Sequence, residues 1–97
     1  MVTFRYSRQA EQELSAILAY TKERWGEPQS QRYLDQLAAV FTLLATHKQM
    51  GRTFSRNHPS WRRFEHATHI IVYSPIAGGI RVQRLVHKNQ LLERTAR

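Results

Sequence analysis

Cysteine is absent from the 97 residues, which excludes a disulfide framework, a thiolate zinc site and a cysteine nucleophile. No apolar run approaches the roughly 20 residues that a membrane-spanning helix needs. The opening Met1-Val2-Thr3-Phe4-Arg5-Tyr6-Ser7 lacks the apolar stretch of a secretion signal. A cytoplasmic chain with no membrane partner is therefore expected. Internal repeats and low-complexity segments are missing too. Acids are scarce: 7 Asp and Glu stand against 15 Lys and Arg, for a net charge of +8.

Twelve of the fifteen cations are arginine, the residue suited to phosphate forks, buried ion pairs and stacking on bases. Such an excess selects an acidic partner: nucleic acid, a nucleoprotein enzyme or an acidic regulator protein. Solvation alone is the plainer reading of the same charge. The hydrophobic fraction of 41% and the ten aromatics rule out a disordered chain. The length suits one modest core, so residues 1–97 are expected to form a single domain.

Val2, Phe4 and Tyr6 alternate with Thr3 and Arg5, the period of a half-buried strand. Ser7 then suits a helix N-cap. Leu14, Ile17, Leu18, Thr21 and Trp25 recur behind it at helical spacing. Gly26 supplies the stop, and Pro28 opens a second helix with Tyr33, Leu34, Leu37, Val40, Phe41 and Leu44 on one broad face. So short a link demands a hairpin of antiparallel helices. From His47 to Ser60 the pattern dissolves into a polar loop, and alternation resumes at Trp61. Ser74-Pro75-Ile76-Ala77-Gly78-Gly79 marks a turn before a last strand ending near His87. The expected class is α+β, in the order β-α-α-β-β-β. A helical hairpin should pack on one face of a small antiparallel sheet whose other face stays open.

These strands carry Arg62, Arg63, His69, Arg81, Arg84 and His87 at regular intervals. Alternation sets Arg84 on the core face with Ile80, Val82 and Val86. An unpaired charge there is costly, so a partner among Glu11, Glu13 and Glu65 is expected, a target contact being the other reading. Arg81, Gln83 and His87 fall on the opposite face, where Arg62 or Arg63 can join them in a cationic surface for DNA, RNA or an acidic protein. Cleavage of RNA by its 2′-hydroxyl needs a base, an acid and cations on the phosphate. His69 or His87 can move the protons, with Arg63, Arg81 or Lys88 as the charge. Trp25 and Tyr20 read as core packing rather than a stacking platform. The five histidines lack metal-ligand spacing, so neither a metal nor another cofactor is expected.

Several segments carry a family likeness: Tyr20 to Gly26, Tyr33 and Leu37, Gly51-Arg52, Arg63-Phe64, His69 to Tyr73, and Arg84 to His87. In order and spacing the chain resembles the RelE/ParE superfamily of bacterial toxins, its ParE branch most closely. That resemblance implies a toxin that poisons DNA gyrase by trapping its cleaved DNA complex. It also implies a cognate antitoxin, a small acidic protein whose C-terminal tail wraps the toxin in a hetero-oligomeric complex. The RelE branch instead cleaves mRNA on the ribosome, and a toxin fold without activity is a further alternative. On the ParE reading the target-binding residues are Arg62, Arg63, Arg81, His87, Lys88, Leu91, Leu92 and Arg94, with none catalytic. On the nuclease reading Arg63, His69, Arg81, His87 and Lys88 do the chemistry. The chain departs from the family at His47-Lys48, where Asn-Pro is usual, and at Asn89-Gln90-Leu91-Leu92, where an acid often stands. It also lacks the C-terminal tyrosine common in RelE-type nucleases.

Overall fold

The structure, a computed structural model, describes residues 2–89. Strand β1 (Thr3–Tyr6) leads into helices α1 (Arg8–Trp25) and α2 (Glu27–Thr46), followed by strands β2 (Arg52–Ser55), β3 (His58–His66), β4 (His69–Ile76) and β5 (Gly79–His87). The sheet runs β1-β5-β4-β3-β2, with β1 parallel to β5 and the other neighbours antiparallel. The α+β class and the helical hairpin on one sheet face are as the sequence predicts.

Two details differ. The polar loop contains a short edge strand, β2, so the order is β-α-α-β-β-β-β. The sheet is mixed, because β1 enters beside the last strand in the same direction. β2 escapes the pattern because four residues with a register shift between Thr53 and Ser55 leave no clean alternation.

Local chemistry explains the joints. Ser7 caps α1 by accepting from the Ala10 amide at 3.0 Å, while its hydroxyl donates to the Gln83 carbonyl at 2.7 Å, tying the helix start to β5. Gly26, at φ 91°, is both the C-cap of α1 and the N-cap of α2. A left-handed φ is one that glycine adopts at no side-chain cost. The Ser30 hydroxyl then donates to the Leu18 carbonyl at 2.9 Å and closes the hairpin.

Leu37, Phe41 and Leu44 of α2 are fully buried against Ile71, Tyr73, Ile80 and Val82 of the sheet. At full burial each such side chain gives roughly 1.5–3 kcal/mol. Burial on α1 declines along its length: Ala10 and Leu14 are buried, Ile17 and Leu18 are partly covered, and Trp25 is 61% exposed. The expectation of Trp25 as a core anchor is thus overturned. Helical spacing puts it on the inward side, but α1 meets the core through its N-terminal half and Trp25 lies in the last turn. Tyr20, at 58%, is exposed with it, their rings edge-on at 6.2 Å and the Arg24 guanidinium 5.5 Å from the indole.

A second apolar cluster, Ile70, Val72 and Val86 beneath Phe54 and Trp61, lies apart from the first. The last strand switches faces midway. Tyr73 pairs with Val82 and Val72 with Arg84, leaving Gln83 as an extra residue. This bulge turns Leu85 into the helix-side core and Val86 into the opposite cluster. The predicted unbroken alternation from Ile80 to Val86 therefore fails at Gln83.

Candidate target-binding surface

Pairing sorts the sequence-predicted residues onto two faces. Arg63 on β3 stands opposite Val72 on β4 and Arg52 on β2. At the other edge Arg81 stands beside Arg5 of the parallel strand and opposite Ser74. Both arginine pairs lie on the face away from the helices, with the Ile70, Val72 and Val86 cluster between them. Like charges directly opposite one another destabilise a sheet, so these pairs call for an anion. Glu65 is the strands' one acid; its carboxylate lies 3.7 Å from Arg52 and 3.2 Å from Lys88. The Arg63 Nε–H is buried without a hydrogen-bond acceptor among the described residues. Beside it a concavity of about 280 Å³ is lined by Met50, Gly51, Arg52, Arg63, Phe64 and Glu65.

Charge is segregated accordingly. The helices carry Arg8, Lys22, Arg24 and Arg32 against Glu11, Glu13, Glu23, Glu27 and Asp35, close to balance. The strands carry six arginines against Glu65 alone, and four of them, Arg5, Arg52, Arg63 and Arg81, lie on the face away from the helices. Field from the sheet side therefore dominates what an approaching polyanion meets.

Not every predicted contact joins this surface. Arg62 turns to the loop after α2 and donates to the Gly51 carbonyl at 2.6 Å. There the buried Tyr73 hydroxyl accepts from the Gly51 amide at 2.9 Å and donates to the Lys48 carbonyl at 2.8 Å. A Cβ on Gly51 would stand 2.7 Å from both the Tyr73 hydroxyl and the Arg63 carbonyl, so the packing requires glycine. Arg84 is held by Glu13, as the structural reading of that residue expects. Leu91, Leu92 and Arg94 lie outside the described residues.

His87 sits opposite His69, on the helix side. The two rings meet edge-on at 5.6 Å, and Tyr33 of α2 lies 5.7 Å from His69 and 5.9 Å from His66. The Tyr33 hydroxyl and His69 Nδ1 are 2.7 Å apart. Burial raises the Tyr33 hydroxyl above its usual 10.0, so it keeps its proton beside His69. His69 is lowered from 6.5, first by burial and then by the neighbouring His87 and His66. Both effects favour the neutral imidazole. Periodicity alone does not reveal this cluster, because Tyr33 reads as helix core. The signal for it in the sequence is the short turn in His66-Ala67-Thr68-His69, which sets the two histidines opposite each other. Among the described residues no three histidines or acids converge closely enough to hold a metal ion.

The nuclease set is thereby divided. His69 and His87 are together on the helix side, whereas Arg63, Arg81 and the ammonium of Lys88, paired with Glu65, belong to the other face.

A family model described as the ParE toxin of type II toxin–antitoxin system, parDE, matches residues 4–92. The chain is 31% identical over 91 residues to Toxin ParE1 of Caulobacter vibrioides, spanning 92% of each. It is 28% identical over 86 residues to Toxin ParE1 of Mycobacterium tuberculosis, spanning 88% of each. A solved structure titled as the chromosomal ParDE TA system from P. aeruginosa shares the fold, with a TM-score of 0.71 at 16% identity over 90% of this chain and 96% of that one.

Proposed function

Because this chain belongs to the ParE toxin family and is the toxin of a type II toxin–antitoxin system, we propose that it arrests growth by binding DNA gyrase, holding the enzyme on cleaved DNA, and that a cognate antitoxin neutralises it. The observation that carries the target reading is the division of the surface. Arg63, Arg81 and Lys88 face one side of the sheet, and His69 and His87 face the other, an arrangement suited to binding and not to proton transfer around one phosphate. No single residue is then catalytic, and binding energy is spread over Arg63, Arg81 and Lys88, with the tail from Leu91 as a further contact.

The antitoxin on this reading is a small acidic protein with apolar anchors. Its tail can meet the exposed Tyr20 and Trp25 at the hairpin tip as well as the basic sheet. Both act in the cytoplasm, where gyrase and its DNA are. A purified-gyrase assay decides the target: the toxin should convert supercoiled plasmid into gyrase-linked linear DNA, and the co-purified antitoxin should prevent it. Unaltered gyrase turnover at saturating toxin would defeat the proposal.

The imidazole cluster at His66, His69 and His87 is the one feature that favours a second reading, a ribosome-dependent nuclease. Site-specific mRNA cuts in a translating extract, without DNA breaks, would select it.

A further inference from the structure

The sheet face away from the helices carries an aromatic stack that the gyrase reading does not use. On the β2–β3 hairpin the His58 ring stacks on Trp61 with centroids 3.9 Å apart and planes within 13°. Phe54 backs the indole at 6.1 Å. His58 is exposed, Trp61 is half-buried, and the stack rests on the Ile70, Val72 and Val86 cluster. The indole thus already accepts a flat polar ring at stacking distance, and the outermost ring of the pile is open to solvent. Two residues on along β3, about 7 Å away, the same face carries Arg63 with Arg52 across from it, and Arg5 and Arg81 form the matching pair at the far edge.

We propose that this face binds single-stranded nucleic acid, with phosphates on the Arg52/Arg63 and Arg5/Arg81 pairs and a base stacked on His58 and Trp61. Charge complementarity commits the occupant. Two arginine pairs, each placed against its like, gain a shared anion from a phosphodiester strand. A carboxylate-rich peptide would satisfy the arginines but would leave the aromatic stack without a role. Duplex DNA keeps its bases inside, so it too would use the arginines alone. Single strands supply both groups at short repeat, and aromatic stacking on them tolerates any base. The proposal shares Arg63 and Arg81 with the gyrase reading but does not rest on it, because the isolated protein suffices for the test.

The test follows Trp61 fluorescence in the full-length Trp25→Phe protein, whose lost indole is remote from the sheet. A short oligothymidylate should quench the signal, and more tightly than a duplex of equal length. His58→Ala, at an exposed position, should weaken binding roughly tenfold. Arg52→Gln with Arg63→Gln should lower the log–log salt slope by about 1.4, the release expected for two single-strand phosphates. Arg5→Gln with Arg81→Gln, both exposed, should act alike and guard against a folding defect in the first pair. No quenching at low salt, equal affinity for duplex, or polyglutamate that binds as well as the oligonucleotide would each overturn it.

Discussion

Glu13 on α1 holds Arg84 and the main chain of β5 with one carboxylate. Its oxygens accept from Arg84 Nη2 at 2.9 Å and Nε at 3.1 Å, and from the Leu85 amide at 2.9 Å. β1 pairs with β5 only as far as Val82, so Glu13 caps the strand edge where its neighbour ends. The two side chains are 20% and 21% exposed, well inside the range where loss of one partner is felt.

Glu13→Ala should therefore destabilise the fold by about 2 kcal/mol, since it strips a charged hydrogen-bond network and strands the guanidinium. Adding Arg84→Met should cost less than the sum, because the stranded charge is gone. Urea titrations of the two single variants and the double variant measure the coupling. Additive costs would show that the pair does not act as a unit.

Trp25→Ala should change stability by no more than about 0.5 kcal/mol, as for other exposed sites. Phe41→Ala, by contrast, should cost about 3–5 kcal/mol, because its ring is fully buried against Phe4 and Tyr6. Thermal melts of the two variants separate the cases. If antitoxin binding weakens in Trp25→Ala while the melt stays put, the hairpin tip is part of that interface.

Acid should weaken the protein through His69. Its folded-state affinity for a proton lies below the usual 6.5, so the unfolded chain takes up a proton first as pH falls. The contribution of a neutral His69 is complete above pH 6.5 and declines from there toward its lower folded value. His69→Gln can still hydrogen-bond to Tyr33 and should flatten that slope. Urea melts at pH 7.5 and pH 5 compare the two proteins, and equal acid losses would show that His69 does not titrate in this window.

Growth arrest should fall by degrees, not all at once. Arg81→Ala and Lys88→Ala should each weaken it a few-fold, His87→Gln should weaken it less, and removal of the tail from Leu91 should exceed any of them. A nuclease would instead lose roughly 10²–10⁴ in rate with one histidine. Counting gyrase-linked DNA breaks beside primer extension on cellular mRNA distinguishes these patterns variant by variant.

Much of this architecture is legible in the residues themselves. Gly26 and Pro28 mark the hairpin because each has one backbone property that few other positions tolerate. Arg84 announces an acidic partner because a cation among strand apolars needs one, and Glu13 is among the three acids the reading names. Other features escape for physical reasons. Periodicity says which side of α1 Trp25 occupies but not how far the sheet extends beneath it. The bulge at Gln83 adds one residue and inverts every later side chain, so Arg81 and His87 part company. The arginine pairs are invisible until register is known, because Arg5 and Arg81, or Arg52 and Arg63, meet only through strand pairing.

The parallel seam between the first and last strands also sets a clock on synthesis. Ser7 and Gln83, joined by one hydrogen bond, are 76 positions apart, and β1 has no neighbour to pair with until β5 exists. A ribosome that has made the hairpin and β2 to β4 has made neither the seat for β1 nor Ile80, Val82 and Leu85 of the core. Contacts this distant in sequence form late. The toxic fold is thus withheld from the growing chain until β5 has been made.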